Sequence, residues 1–177
     1  MVEVLVEYPL NFIETIKDQT LRTLWSLNNV IDSIPDSYWE KEYCEMPIWK
    51  HIYHTLHSLD RWYINPMIYD EPTFHTENLN NLDVKTDGVL SRELMKQYYV
   101  QVKDKIVSYL QGLNDEKLLE TPEKYLYTRF HLILAQHRHL DMHIGMLMGD
   151  VIAGEGLWPR VLGLQSEFPE GEYTKYF

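Results

Sequence analysis

Proline and glycine divide this sequence into four long segments whose apolar residues recur at helical spacing, and this pattern constrains the fold most strongly. The segments cover about 10–34, 48–65, 91–112 and about 128–148. Side chains three, four or seven positions apart lie on one face of an α-helix, so each segment is predicted to form an amphipathic helix. Pro35 and Pro66 end the first two segments because proline cannot continue a helix, and Gly149 is expected to end the fourth.

The connections between these segments differ in length and chemistry. The stretch 69–88 is long and polar, and it is expected to border a cleft because long connections inside compact domains are often functional. Residues 114–126 are expected to add one helical turn. The chain after Gly154 is irregular, yet it carries large apolar side chains that indicate a tail docked on the body: Trp158, Leu162 and Leu164.

The helical segments favour an all-α fold. With 177 residues, 45% of them hydrophobic, the chain is long enough to bury one sizeable core. Neither an internal repeat nor a convincing series of strands competes with the helical pattern. The sequence therefore predicts a single domain over 1–177, a four-helix bundle with its core at about 10–150 and one long connection, followed by an irregular docked C-terminal tail over 151–177.

Charge and cysteine content narrow the classes of function. A formal net charge of -11, with the 16 Lys and Arg scattered singly, repels a phosphate backbone, so no nucleic-acid partner is expected. No membrane partner is expected either, because no apolar run approaches the length of a membrane span and the first ten residues carry acids without a basic leader. Cys44 has no second cysteine to pair with, which fits a reducing compartment, and the chain is expected to be cytoplasmic.

The fourth helical segment contains "QHRHLDMHIG", in which His139 and His143 are four residues apart. On a helical wheel these two lie on the apolar face, whereas His131 and His137 fall elsewhere and are expected to face solvent. Side chains four apart lie one above the other on a helix, so both imidazoles can reach one ion. Neutral imidazole suits zinc, nickel, copper or iron(II), and the pair is a candidate for two ligands of a metal site.

A third ligand must come from another helix, and the second segment offers three histidines. Its apolar stripe centres near Ile52 and Leu56, and His54 lies nearly opposite that centre. His51 and His57 flank the stripe more closely. Amphipathicity alone therefore favours His51 or His57 as the third ligand.

Two blocks of sequence, "YHTLHSLDRWY" and "RHLDMHIGML", resemble the DinB-like superfamily of bacterial four-helix-bundle metalloproteins. The resemblance spans about 10–150 and does not cover the tail. It implies His54, His139 and His143 as three metal ligands, and on this basis His54 is preferred over His51 and His57. Members of the family usually continue the last ligand with "RGQ", whereas this chain has "HIGML", which keeps the glycine and loses the glutamine.

Three protein ligands leave one tetrahedral position open for water or substrate. The resemblance implies a divalent ion, with zinc or nickel preferred over iron or manganese, and a transferase that uses a low-molecular-weight thiol on small electrophilic molecules. Two alternatives remain: a metal-dependent hydrolase with Asp60 or Asp150 as general base, and a non-catalytic protein that binds a metal or small ligand. Bundles of this kind often pair through helix faces, so a homodimer is also expected.

Overall fold

The computed structural model describes residues 11–177, which form mostly α-helix. Within these residues, five α-helices follow one another: α1 (Phe12–Ser33), α2 (Ile48–Trp62), α3 (Arg92–Gln111), α4 (Asp115–Leu118) and α5 (Arg129–Glu155). A two-stranded antiparallel hairpin, β1 (Glu42–Tyr43) and β2 (Met46–Pro47), lies between α1 and α2. Residue 10, where the first helix was expected to begin, lies outside the described residues.

Polar side chains fix where the long helices begin. Asn11, Ser91 and Thr128 precede α1, α3 and α5, and each side chain accepts a hydrogen bond from a backbone N–H of the first turn. Such N-caps satisfy donors that the helix itself leaves unpaired. The predicted bounds of α3 and the predicted extra turn, here α4, are therefore confirmed to within a residue or two.

The prediction that Gly149 ends the last helix is wrong, because α5 continues to Glu155. One glycine inside a helix costs only about 1 kcal/mol, and the two further turns bury Val151 completely. The helix ends instead at Gly156, whose backbone adopts the left-handed conformation with φ of 69° that glycine tolerates best.

The four long helices enclose the core. α1 and α2 each pack against both α3 and α5. The side chains at these interfaces are almost inaccessible to solvent and include Leu27, Val30, Ile52, Leu56 and Val151. Burying an aliphatic side chain of this size contributes about 1.5–3 kcal/mol, so these interfaces are the main source of stability and hold α2 rigidly beside α5.

The long connection between α2 and α3 packs along the face of α2 that carries Lys50, His54 and His57. Lys50 is fully buried and its ammonium group donates to the backbone carbonyl of Val84. Farther along, the Leu90 carbonyl accepts a hydrogen bond of 2.7 Å from the indole of Trp39. The connection is thereby tied to the helical body and covers α2.

The C-terminal tail docks on α1, as predicted, but mainly through polar contacts. The amide of Asn29 donates to the carbonyls of Arg160 and Lys175 at 2.8 and 2.9 Å, and Tyr176 donates to the Ser33 carbonyl. Leu162 is the buried member of the three apolar residues expected to anchor the tail. Trp158 and Leu164 are exposed.

Within residues 11–177, no helix combines the length and apolar character needed to cross a membrane.

Candidate metal centre

Three imidazole nitrogens meet between α2 and α5. The Nε2 atom of His139 lies 3.2 Å from Nε2 of His54 and 3.1 Å from Nε2 of His143. His139 and His143 are one turn apart on α5, and the packing of α2 against α5 brings His54 to the same point. The structure thus joins the three residues that the family resemblance selected.

A hydrogen bond from the long connection sets the tautomer of His54. Its Nδ1 atom lies 2.7 Å from the backbone carbonyl of Asn80, and because a carbonyl only accepts, Nδ1 must carry the proton. In the neutral ring Nε2 is then left with a free lone pair directed at His139 and His143. Metal-binding histidines characteristically have this second hydrogen bond, which fixes ring orientation.

The spacing of the three nitrogens fits a tetrahedral metal ion. Ligands about 2.0–2.1 Å from such an ion lie about 3.3 Å from one another, close to the contacts observed here. Without a proton or a cation between them, the lone pairs of these nitrogens would point at one another. The Nδ1 atoms of His139 and His143 are buried and lack a hydrogen-bond partner in the described residues, so a protein contact fixes the tautomer of His54 but not those of His139 and His143.

Burial keeps these rings neutral at ordinary pH. Desolvation lowers the pKa of His54, and the hydrogen bond to Asn80 only partly offsets this effect. Desolvation and the nearby histidines lower the pKa of His139 to about 4 and that of His143 to about 3. A metal ion binds neutral imidazole, so the donors are in the required protonation state without a charged partner.

The other two histidines of α2 point to different partners. His51 lies 3.0 Å from the Tyr43 carbonyl in the hairpin, and His57 lies 2.7 Å from a carboxylate oxygen of Glu71. Of the three histidines of α2, His54 is the one that meets His139 and His143, whereas amphipathicity favoured His51 or His57. The helical wheel could not separate these histidines, because the connection covers α2 and leaves almost every position of this helix at least partly buried.

His137 does not face solvent, so that expectation is also wrong. Its Nε2 atom lies 2.8 Å from the hydroxyl of Thr20, because α5 packs against α1 on this side. Burial lowers the pKa of His137. His131, in the first turn of α5, is exposed as expected.

The two carboxylates considered as general bases form no hydrogen bond with the three converging histidines in the described part of the chain. Asp60 accepts a hydrogen bond of 2.9 Å from Tyr98 and pairs with Lys105 at 2.5 Å. Asp150 is partly buried, which raises its pKa, and His51 and Lys41 partly offset that shift. The carboxylate of Asp60 is therefore already paired with other side chains.

A second group of possible metal ligands was missed by sequence reasoning. His57, Glu71 and His75 place one donor atom each within 4.8 Å of the others. Glu71 and His75 belong to the long connection, which is not α-helical, so helical spacing could not place them beside α2. The available signal was the four-residue spacing of Glu71 and His75 beside a histidine-rich helix.

A scan against protein-family models and searches of curated proteins and of solved structures find no match to this chain. The geometry of the histidines is therefore the basis for any functional conclusion.

Proposed function

We propose that this chain is a DinB-like four-helix-bundle protein that holds a divalent metal ion through His54, His139 and His143. We further propose that it catalyses thiol-dependent transfer to small electrophilic molecules. The observation that supports the proposal most strongly is the convergence of three Nε2 atoms at 3.1–3.2 Å contacts, one of them freed for binding by the Asn80 carbonyl.

The helical arrangement supports the proposed class. α1 and α2 each contact α3 and α5, and the long connection lies between α2 and α3. The first metal ligand comes from the second long helix and the other two from the last, which is the order that the resemblance implies. The tail over 156–177 lies outside this arrangement.

The donor set supports a borderline-soft divalent ion. Three imidazole nitrogens suit zinc or nickel, and iron is also compatible, whereas manganese prefers carboxylate oxygen. An ion held by three neutral donors and one open position keeps its full positive charge, which stabilises a thiolate at neutral pH. The chain contributes by fixing the three rings: α5 sets two of them one turn apart, and Asn80 orients the third.

Thiol chemistry fits this site better than hydrolysis. A metal ion brings the pKa of bound water to about 7, and hydrolysis is then faster with a general base close to the reacting oxygen. Asp60 is already engaged with Tyr98 and Lys105. A thiol needs less help because its ordinary pKa of about 8.5 is already near neutrality, and a neighbouring cation lowers it further.

The proposal is tested with purified, zinc-loaded protein, cysteine as a minimal low-molecular-weight thiol and chlorodinitrobenzene as the electrophile. We expect thiol-dependent turnover that is lost when His54, His139 and His143 are all replaced by alanine. His131→Ala is the matched control, because this exposed histidine lies on the same helix away from the site. If loaded protein binds no thiol and shows no thiol-dependent turnover, the transferase proposal is wrong.

A further inference from the structure

His57, Glu71 and His75 form a compact group beside the centre described above but share no residue with it. His57 Nε2 lies 2.7 Å from Oε2 of Glu71, and Nδ1 of His75 lies 3.8 Å from the same oxygen. All three donor atoms fall within 4.8 Å of one another. This spacing is short enough for one ion to contact all three side chains.

Two members of the group are mostly buried, and the third is accessible to solvent. The His57 side chain is 3% exposed and is fixed by α2, and that of His75 is 16% exposed. A turn closed by a 2.8 Å hydrogen bond from the His75 N–H to the Pro72 carbonyl sets the direction of the connection here. Glu71 is 40% exposed, so an ion has a path from solvent to the group.

We infer that His57, Glu71 and His75 are the ligands of a second divalent transition-metal site in this protein. Two imidazoles and one carboxylate are the donor set of many zinc and iron(II) sites, in which the open positions admit water or substrate. The carboxylate supplies one negative charge to the bound ion. The second site therefore differs from the first in charge as well as in position.

Of the two carboxylate oxygens of Glu71, Oε2 is the one directed at the imidazoles of this group. Arg61 approaches Oε1 at 3.5 Å, whereas Oε2 faces His57 and accepts a 3.3 Å hydrogen bond from Tyr69. Burial raises the pKa of Glu71, but this effect is more than offset, chiefly by the hydrogen bond that His57 donates, so the pKa is lowered overall and the carboxyl is ionised. Burial lowers the pKa of His57, which leaves its ring neutral and able to bind a metal.

Existing hydrogen bonds compete with the ion. The Tyr53 hydroxyl lies 2.6 Å from Nδ1 of His75. When Nδ1 carries no proton, which is the state that can bind a metal, the hydroxyl donates a hydrogen bond to it. His57 donates its Nε2 proton to Glu71. Metal binding replaces both hydrogen bonds with metal–nitrogen bonds, and the His57 proton moves to Nδ1 of the same neutral ring. We therefore expect weaker binding at this site than at the first one.

The competing interpretation is a hydrogen-bonded anchor that only attaches the connection to α2. The two interpretations are separated by titrating metal-free full-length chain with Co²⁺ and recording heat and visible absorption. We expect about two equivalents in the wild type. The variant with His54, His139 and His143 replaced by alanine should keep one equivalent with the weaker affinity.

Glu71→Gln is the decisive variant, because glutamine keeps the shape and an acceptor oxygen but removes the negative charge. It should weaken the second equivalent at least about tenfold and leave the first unchanged. Glu77→Gln, an exposed change on the same connection, is the matched control, and circular dichroism checks that each variant is folded.

The inference is overturned if the wild type binds one equivalent and the triple alanine variant binds none. That outcome would leave the first centre intact. If instead the wild type binds one equivalent that survives in the triple variant and is weakened by Glu71→Gln, the second site stands and the proposed function fails.

Discussion

Two groups of histidines share α2 but differ in how they are held. The first joins His54 to His139 and His143, so all three donors project from two packed helices. The second joins His57 to Glu71 and His75, two residues of the connection. The first group is fixed by the core itself, whereas the second depends on how the connection closes over α2.

The difference in donors predicts different chemistry at the two groups. Three neutral imidazoles leave a bound divalent ion with its full charge, which favours an anionic partner such as a thiolate. A carboxylate in the second group reduces that charge by one unit. Tyr53 and Arg61 also contact the donor atoms of the second group. In the described residues, no side chain outside the first group hydrogen-bonds to its Nε2 atoms.

The largest expected effect comes from His143→Ala. Removing one of three ligands should weaken zinc binding at the first group by more than about a hundredfold, since even residues that only orient a ligand contribute about ten- to a hundredfold. Metal content after dialysis and competition with a chelator measure this loss. Binding at the second group should be unchanged. Retention of the full zinc affinity by His143→Ala would show that this histidine is not a ligand.

Stability of the metal-free protein should fall in acid. His139 and His143 titrate near their ordinary value of 6.5 when unfolded, but burial lowers their folded pKa values to about 4 and about 3. Below about pH 6.5 the unfolded state therefore binds more protons, and the free energy of unfolding decreases until the folded pKa values are reached. Urea titrations at several pH values measure the slope. Replacing both residues with glutamine should flatten it, and an unchanged slope would assign the pH dependence to other groups.

A smaller effect is expected from removing the Tyr53 hydroxyl, which competes with a bound ion for His75 at the second group. Tyr53→Phe keeps the buried ring but removes the hydroxyl that occupies Nδ1 of His75. If the second site exists, Co²⁺ binding there should tighten about two- to tenfold, which corresponds to one hydrogen bond. The first group should not change. Unaltered or weaker Co²⁺ binding would show that the hydroxyl does not compete with the ion.

Helix positions were predictable from local sequence, because proline and polar caps mark helix ends directly. Ser91 and Thr128, where the third and fourth segments were predicted to begin, cap α3 and α5. Gly149 misled the prediction because a single glycine is a weak signal compared with two further turns of buried packing. The pair His139 and His143 was predictable for the same local reason, since its spacing equals about one helical turn.

Contacts between distant segments were not predictable from periodicity. A helical wheel assumes one buried face and one solvated face, yet the connection covers the second face of α2 and brings Asn80 to His54. The same closure places Glu71 and His75 against His57. The prediction that His137 faces solvent was wrong because α1 packs against the side of α5 that the helical wheel assigned to solvent.

Anomalous diffraction at the zinc edge from zinc-soaked crystals tests the central claim most directly. The account predicts a peak about 2.0–2.1 Å from the Nε2 atoms of His54, His139 and His143 together. That peak should be the strongest in the map, since the second group binds more weakly. A map whose strongest peak lies elsewhere, or which shows no peak between α2 and α5, would contradict the assignment of this centre.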